Sequence, residues 1–325
     1  MSDIFKDKVV LITGGSGSFG NKFVETLLRE HEPKTIRVFS RGEKKQLDMQ
    51  QKFNDDRLRF FIGDVRDRLR LNRAMYDVDI LIHAAALKQV PTCEYNPIEA
   101  IRTNIDGAVN VIDAALDHQV KKVMAISTDK AVHPINLYGA TKMTAEKLFI
   151  QANSYVGKQD IKFSCVRYGN VIGSRGSVIP LFLKQKEKGV LTITNPNMTR
   201  FWLTIEQGVS FVIRSIGKMH GGEIFIPKIP SMKIIDLANT IAPDAEKKII
   251  GSRPGEKIHE ILMTCDESRH SKEFDDMFVI EPEQPFLDEI KFANGKVIPE
   301  GFSYSSDNNS VWLSQRELKD KIEKL

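Results

Sequence analysis

Residues 9–20 read VVLITGGSGSFG. The opening apolar run suits a strand buried on both faces of a parallel sheet, and the glycines that follow, Gly14, Gly15, Gly17 and Gly20, stand between that strand and a helix-period stretch. Glycine lets the backbone turn tightly and approach a pyrophosphate, which then lies at a helix N-terminus whose free N–H groups favour an anion. The spacing fits Gly15-x-Gly17-x-x-Gly20 and also Gly14-x-x-Gly17-x-x-Gly20. The strand before and the helix after give either reading its weight. Ser16, Ser18 and Phe19 complete the expected dinucleotide cradle.

Working outward, the first half repeats a β-branched run, a turn and a helix-period stretch. Strands are predicted at 9–13, 35–40, 58–64, 79–85, 123–128 and 162–168, with helices between them, including 97–118 and 138–153. This pattern predicts an α/β fold, a doubly wound parallel sheet of Rossmann type, with ligands beyond the carboxyl ends of the strands. Beyond Gly169 the pattern becomes irregular: a helix at 204–219, a strand at 223–228, a helix at 231–242 and Pro/Gly turns such as RPGE at 253–256. The expected division is therefore a dinucleotide-binding domain over 1–170 and a smaller mixed α/β substrate lobe over 171–325. Trp312 suggests that the polar tail at 303–310 docks.

The composition is that of an ordinary soluble globular protein. The chain has 325 residues, 41% hydrophobic and 28% charged, and its net charge is +4. No apolar run approaches the ~18 residues of a membrane span, and the early start of the first strand leaves no room for an export signal. Acidic and basic residues alternate, which argues against nucleic-acid binding. A mild positive excess suits an anionic small molecule. Cys93, Cys165 and Cys265 form no C-x-x-C pair, so neither a disulfide framework nor a metal site is expected, and a cytoplasmic location fits.

After the second predicted strand, an acid would contact the ribose 2′-hydroxyl of NAD. Here the chain reads Ser40-Arg41-Gly42-Glu43-Lys44-Lys45. A hydroxyl and a planar guanidinium with nearby lysines suit the 2′-phosphate of NADP instead. Asp64 is expected either to accept from the adenine amine or to cap the next helix.

The segment STDKAVHPINLYGATK, residues 127–142, sets Asp129 beside Lys130 and Tyr138 four residues before Lys142. Tyr138 and Lys142 lie on one face of a predicted helix. A phenol with its ordinary pKa near 10 is a poor base at neutral pH, but a neighbouring ammonium favours phenolate.

These residues, with Thr128 and the glycine turn, resemble the extended short-chain dehydrogenase/reductase superfamily. FSRGEKKQ, FIGDVRD, HAAALKQVP, RYGNVIGSRGSVIP, MTRFW, PKIPSMKI and RPGEKIHE narrow the likeness. Together they resemble the configuration-inverting UDP-N-acetylglucosamine 4,6-dehydratases that open pseudaminic acid synthesis, over residues 8 to about 312. Related dehydratases that retain configuration at C5 carry Asp-Glu where this chain has Asp129-Lys130.

The resemblance implies that Tyr138 takes the C4 hydroxyl proton as hydride passes to NADP⁺. Lys130 then removes the proton from C5, Asp129 protonates the departing C6 hydroxyl, and hydride returns to C6. Burial beside a cationic cofactor is expected to lower the pKa of Lys130 so that it can act as a base. The likeness also implies cofactor contacts at Val65, Ala84 and Lys88. Substrate contacts are implied at Lys88, Asn170, Arg175, Val178, Thr194, Arg200, Arg253 and Asn308, and the assembly as a homo-oligomer, a hexamer among them. Two rivals remain: a UDP-sugar 4-epimerase, which has no use for Asp129-Lys130, and a catalytically idle NADP-binding sensor, which typically lacks the Tyr-Lys pair.

Overall fold

The computed structural model describes residues 3–323 except residue 175 and residues 284–291. In chain order its first half holds β1 (Val9–Thr13), α1 (Ser18–Glu30), β2 (Thr35–Ser40), α2 (Glu43–Phe53), β3 (Leu58–Ile62), α3 (Arg68–Met75), β4 (Ile80–His83), α4 (Val90–Tyr95), α5 (Pro97–Ile101), α6 (Gly107–Asp117), β5 (Lys122–Ile126), α7 (Leu137–Gln151) and β6 (Lys162–Val166). β1 and β4 are buried at every position, as their continuous apolar runs require. α1 buries Gly20, Phe23, Val24 and Leu27, a stripe at helical spacing that packs on the sheet.

Among the described residues the central sheet has ten strands. From one edge the order is Lys296–Val297, Ser271–Glu273, Met277–Ile280, Ile224–Pro227, β6, β5, β4, β1, β2, β3. β1 pairs in parallel with both β2 and β4, so the winding reverses between them. A crevice opens there at the carboxyl ends, next to Thr13 and His83.

Residue 170 marks where the chain first leaves this sheet, but later segments return to it. Ile224–Pro227 lies parallel to β6, and Met277–Ile280 runs antiparallel beyond it. A second hydrophobic core, separate from that of the sheet, comprises Ile179, Phe182, Leu191, Ile193, Trp202, Leu237 and Leu313.

Two predicted helices differ from those observed. The stretch 97–118 is interrupted by a π-helical turn at Arg102–Asp106, where Asn104 turns inward and binds the loop after β4. The helix expected at 231–242 starts at Ile234, because Ser231–Lys233 pairs as a strand with Thr199–Phe201.

The tail docks, though less through Trp312, whose exposure is 43%, than through Tyr304, Asn309 and Leu313. Tyr304 donates to and accepts from the backbone of Ile229, both at 2.9 Å, and Asn309 donates to Ile229 and Ser231. Among the described residues no helix is long and apolar enough to cross a membrane.

Candidate active site

A cleft of about 890 Å³ runs from the glycine turn across the carboxyl ends of β1, β4 and β5 to the second lobe. At its closed end Gly20 is required by contact: a Cβ there would sit 2.2 Å from the Gly15 carbonyl oxygen. α1 therefore begins tight against the turn. Its N-cap is Gly17, with no side-chain cap, so the first-turn N–H groups are left for a ligand. This arrangement fits a dinucleotide pyrophosphate, and Gly14, Ser16, Gly17, Ser18, Phe19 and Gly20 all line the cleft.

At the end of β2 the Ser16 hydroxyl donates to Ser40 Oγ at 2.8 Å. Gln46, buried on α2, donates to the Ser40 hydroxyl, the Ser40 carbonyl and the Phe61 carbonyl at 2.9–3.0 Å. The two hydroxyls are thus held together, with Arg41 and Lys45 beside them in the cleft wall. Lys44 is exposed and lies outside that wall. Asp64, Val65, Ala84 and Lys88 line it. Asp64 is not the helix cap, since Asp67 accepts from Arg70 N–H. Burial raises the pKa of Asp64, but its bonds from the Arg66 side chain and N–H, with Arg41 nearby, bring it below the ordinary carboxylate range.

The chemistry-bearing loop follows β5. The Thr128 hydroxyl donates to Asp129 Oδ1 at 2.9 Å, and Thr128 lines the cleft with Tyr138. Lys130 Nζ donates to the same Asp129 oxygen at 3.0 Å. Asp129 is fully buried behind Lys130, and its second oxygen has no hydrogen bond among the described residues. α7 then starts at the cleft. Asn136 caps it by accepting from Gly139 N–H and also donates to the Gly255 carbonyl, both at 2.8 Å. Gly139 has to be glycine, because a Cβ there would lie 2.2 Å from the Lys130 carbonyl oxygen. That close approach brings Tyr138 and Lys130 to one site.

Two electrostatic expectations are corrected. Burial does lower the pKa of Lys130, but the Asp129 and Glu260 carboxylates outweigh it and hold the side chain as an ammonium, well above the ordinary lysine value. Burial pushes the Tyr138 phenol up to about 12, with Asp129 adding to it and Lys130 opposing. In this state Tyr138 is a phenol. Lys142 donates to the Ile126 carbonyl at 2.7 Å, and burial lowers its pKa.

Of the expected substrate contacts, Lys88, Asn170, Val178, Thr194, Arg200 and Arg253 line the cleft. Asn170 Oδ1 and the nearby Ser177 Oγ are buried without hydrogen bonds among the described residues, which fits groups that await a polar ligand. The Arg200 fork donates to the Thr199, Ile258 and Lys257 carbonyls. It braces the 257–260 segment more than it offers itself to a diphosphate. Arg253 is exposed and paired with Glu256 at 2.7 Å. Asn308 is not brought to the cleft: it is exposed and caps a turn by accepting from Ser305 N–H. Arg175 lies outside the described residues.

Several contributors were missed. Glu260 and Lys257 sit in the RPGEKIHE stretch, which was read for its proline-glycine turn, its family likeness and Arg253 but not for these two charges. Lys257 donates to the Val132 and Asp129 carbonyls and so pins the loop after β5. Gln46, Asn104, Asn136 and Ser177 are uncharged and gave no local cue.

A family profile described as polysaccharide biosynthesis protein matches residues 10–282. The chain is 52% identical to the inverting UDP-N-acetylglucosamine 4,6-dehydratase of Campylobacter jejuni, with 98% of each chain covered. It is 42% identical to a UDP-glucose 4-epimerase of Rickettsia conorii, over 98% of this chain and 96% of that one. The X-ray structure of Pen from Bacillus thuringiensis matches with a TM-score of 0.92 at 42% identity, covering 99% of this chain and 98% of that one. Likeness of this extent, on the fold and cleft just described, means that the chain belongs to the polysaccharide biosynthesis protein family, in the extended short-chain dehydrogenase/reductase superfamily and alongside the inverting UDP-N-acetylglucosamine 4,6-dehydratases.

Proposed function

We propose that this protein is an NADP-dependent UDP-N-acetylglucosamine 4,6-dehydratase that inverts C5, a carbon–oxygen lyase that opens pseudaminic acid synthesis. The observation that carries the reading is the Asp129–Lys130 pair, 3.0 Å apart, with Lys130 lining the same cleft as Tyr138 and Lys142 and Asp129 buried directly behind it. The glycine turn, Ser16, Ser40, Arg41 and Lys45 would hold the cofactor. When bound, NADP supplies a hydride acceptor for C4 and later the hydride donor for C6.

Tyr138 would take the C4 hydroxyl proton, and the Lys130 ammonium already opposes the burial that raises its phenol. The resulting C4 ketone acidifies the C5 proton. Elimination then needs Lys130 as an amine and Asp129 as an acid, one proton transfer along their hydrogen bond from the ion pair seen here. Lys130 takes the C5 proton while Asp129 protonates the leaving C6 hydroxyl. A proton delivered to the opposite face of C5 gives the L-arabino 4-keto sugar. Asn170, Ser177, Thr194 and Arg253 are suited to the uridine diphosphate. A cytoplasmic homo-oligomer, a hexamer by family resemblance, completes the reading.

The likeness to a 4-epimerase favours one alternative, in which Tyr138 and Lys142 act and Asp129–Lys130 is an idle ion pair. Incubating the purified protein with UDP-N-acetylglucosamine decides between them by product mass. A product lighter by one water supports the dehydratase; a product of unchanged mass removes it.

A further inference from the structure

Glu260 is a buried charge for which the mechanism above has no use. Its exposure is 3%, and it faces the cleft. Oε1 lies 3.7 Å from Lys130 Nζ and 3.8 Å from Arg200 Nε, and Oε2 lies 3.4 Å from Lys257 Nζ. Oε2 nevertheless has no hydrogen bond among the described residues. Buried carboxylates are normally hydrogen-bonded.

The carboxylate is placed by its backbone instead. Glu260 N–H donates to Ser306 Oγ at 2.9 Å, and its carbonyl accepts from Ser306 N–H at 2.8 Å. Arg200 and Lys257 give their hydrogen bonds to carbonyl oxygens of the surrounding loops. The cation whose charge changes during the reaction is Lys130.

We propose that Glu260 is a positioning residue for the elimination, its fixed negative charge stabilising the ammonium that forms on Lys130 as that amine takes the C5 proton. The inference rests on the dehydratase reading. The elimination starts with Asp129 as acid, Lys130 as amine and Glu260 as carboxylate. The C5 proton moves to Nζ, the C5–H electron pair becomes the C5–C6 double bond, and the C6–O bond breaks toward an oxygen that takes the Asp129 proton and leaves as water. The step ends with Asp129 and Glu260 ionised and Lys130 as ammonium, the arrangement in this structure. Positive charge therefore grows 3.7 Å from a carboxylate that is itself only 3% exposed, where a preorganised charge acts most strongly.

The groups facing Lys130 are Asp129 and Glu260, which raise its pKa, and Arg200, which lowers it, with Tyr138 coupled to it. Those facing Glu260 are Lys130, Arg200 and Lys257. The Asp129–Lys130 pair is active while it holds one proton, so the alkaline limb of activity is set by loss of that proton, which the carboxylates beside Lys130 move to higher pH. Removing the Glu260 charge brings that alkaline limb to lower pH.

The test compares pH profiles of kcat and KM for the full-length holoenzyme as unmodified protein, Glu260→Gln and Glu260→Asp, alongside lysine ¹³Cε NMR without sugar. The Lys130 resonance is assigned as the one lost in Lys130→Arg. For Glu260→Gln the expected result is a kcat lower by about 10²-fold, a KM near that of the unmodified protein and an alkaline limb lower by about one pH unit or more. The Lys130 resonance should titrate lower in parallel, and Glu260→Asp should restore both. A purely structural role would lower the rate and leave limb and resonance in place; that result overturns the inference, even where the variant is too inactive for a profile, because the resonance is read without turnover. Failure of the unmodified protein to dehydrate the sugar nucleotide would instead sink the dehydratase reading, whatever the resonance does.

Discussion

The cradle at Gly14–Gly20 and the loop at Thr128–Tyr138 both sit at carboxyl ends of strands in one sheet, yet they are built in opposite ways. The cradle is local: its geometry follows from a turn whose own residues collide if a side chain is added, as at Gly20. The loop is assembled from distant parts of the chain. Lys257 pins its carbonyls, Gly255 accepts from the helix-capping Asn136, and Glu260 joins Asp129 in holding Lys130 as an ammonium across 130 positions of sequence. Binding can therefore be encoded by a short motif, whereas proton chemistry depends on the tertiary fold.

The sharpest way to break this comparison is Lys130→Ala. Turnover should fall by about 10²–10⁴-fold, the range for losing a general base, while calorimetric NADP binding stays intact. NADPH absorbance should build up in the presence of sugar without loss of water. Weakened NADP binding would mean that the two regions are not separate.

Next is Glu146→Ala. Glu146 and Arg167 are both buried and 2.7 Å apart, tying α7 to the end of β6, and Arg167 reaches Glu267 at 2.8 Å. Leaving the guanidinium short of a partner should cost about 3–5 kcal/mol of stability, read by chemical denaturation. An unchanged midpoint would show that α7 is held by packing alone.

A smaller effect is expected in the cradle. Arg41→Asp should reduce the preference for NADP over NAD by roughly tenfold, the scale of one charge-assisted contact, measured by calorimetry with both cofactors. A preference for NAD in the unmodified protein would contradict the reading of Ser40-Arg41. The least effect belongs to Lys44→Ala and Asn308→Ala, both exposed and outside the cleft. Stability and cofactor or substrate affinity should change by no more than about 0.5 kcal/mol.

The same contrast explains what was legible in the sequence. Buried strands and the glycine turn are coded by neighbours, so the predicted 9–13 and 35–40 match β1 and β2. The π turn at Arg102–Asp106 was invisible because it serves Asn104's bonds to Leu87 and Thr141, contacts made only in the folded state. The direction of the Lys130 shift was misread for a related reason. Burial alone would lower it, and the carboxylate that helps Asp129 reverse the sign lies in a segment whose spacing carries no hint of the contact. Lys44 was read from its charge beside Arg41 and Asn308 from the resemblance, and both are exposed and outside the cleft wall.

The central claim is that Asp129 and Lys130 carry out an elimination with inversion at C5, and proton NMR of product made in D₂O tests it most directly. The account predicts a product lighter than substrate by one water before label is counted, with deuterium at C5 and couplings of the L-arabino configuration. A D-xylo product, a product without deuterium at C5, or one that retains the water would contradict it.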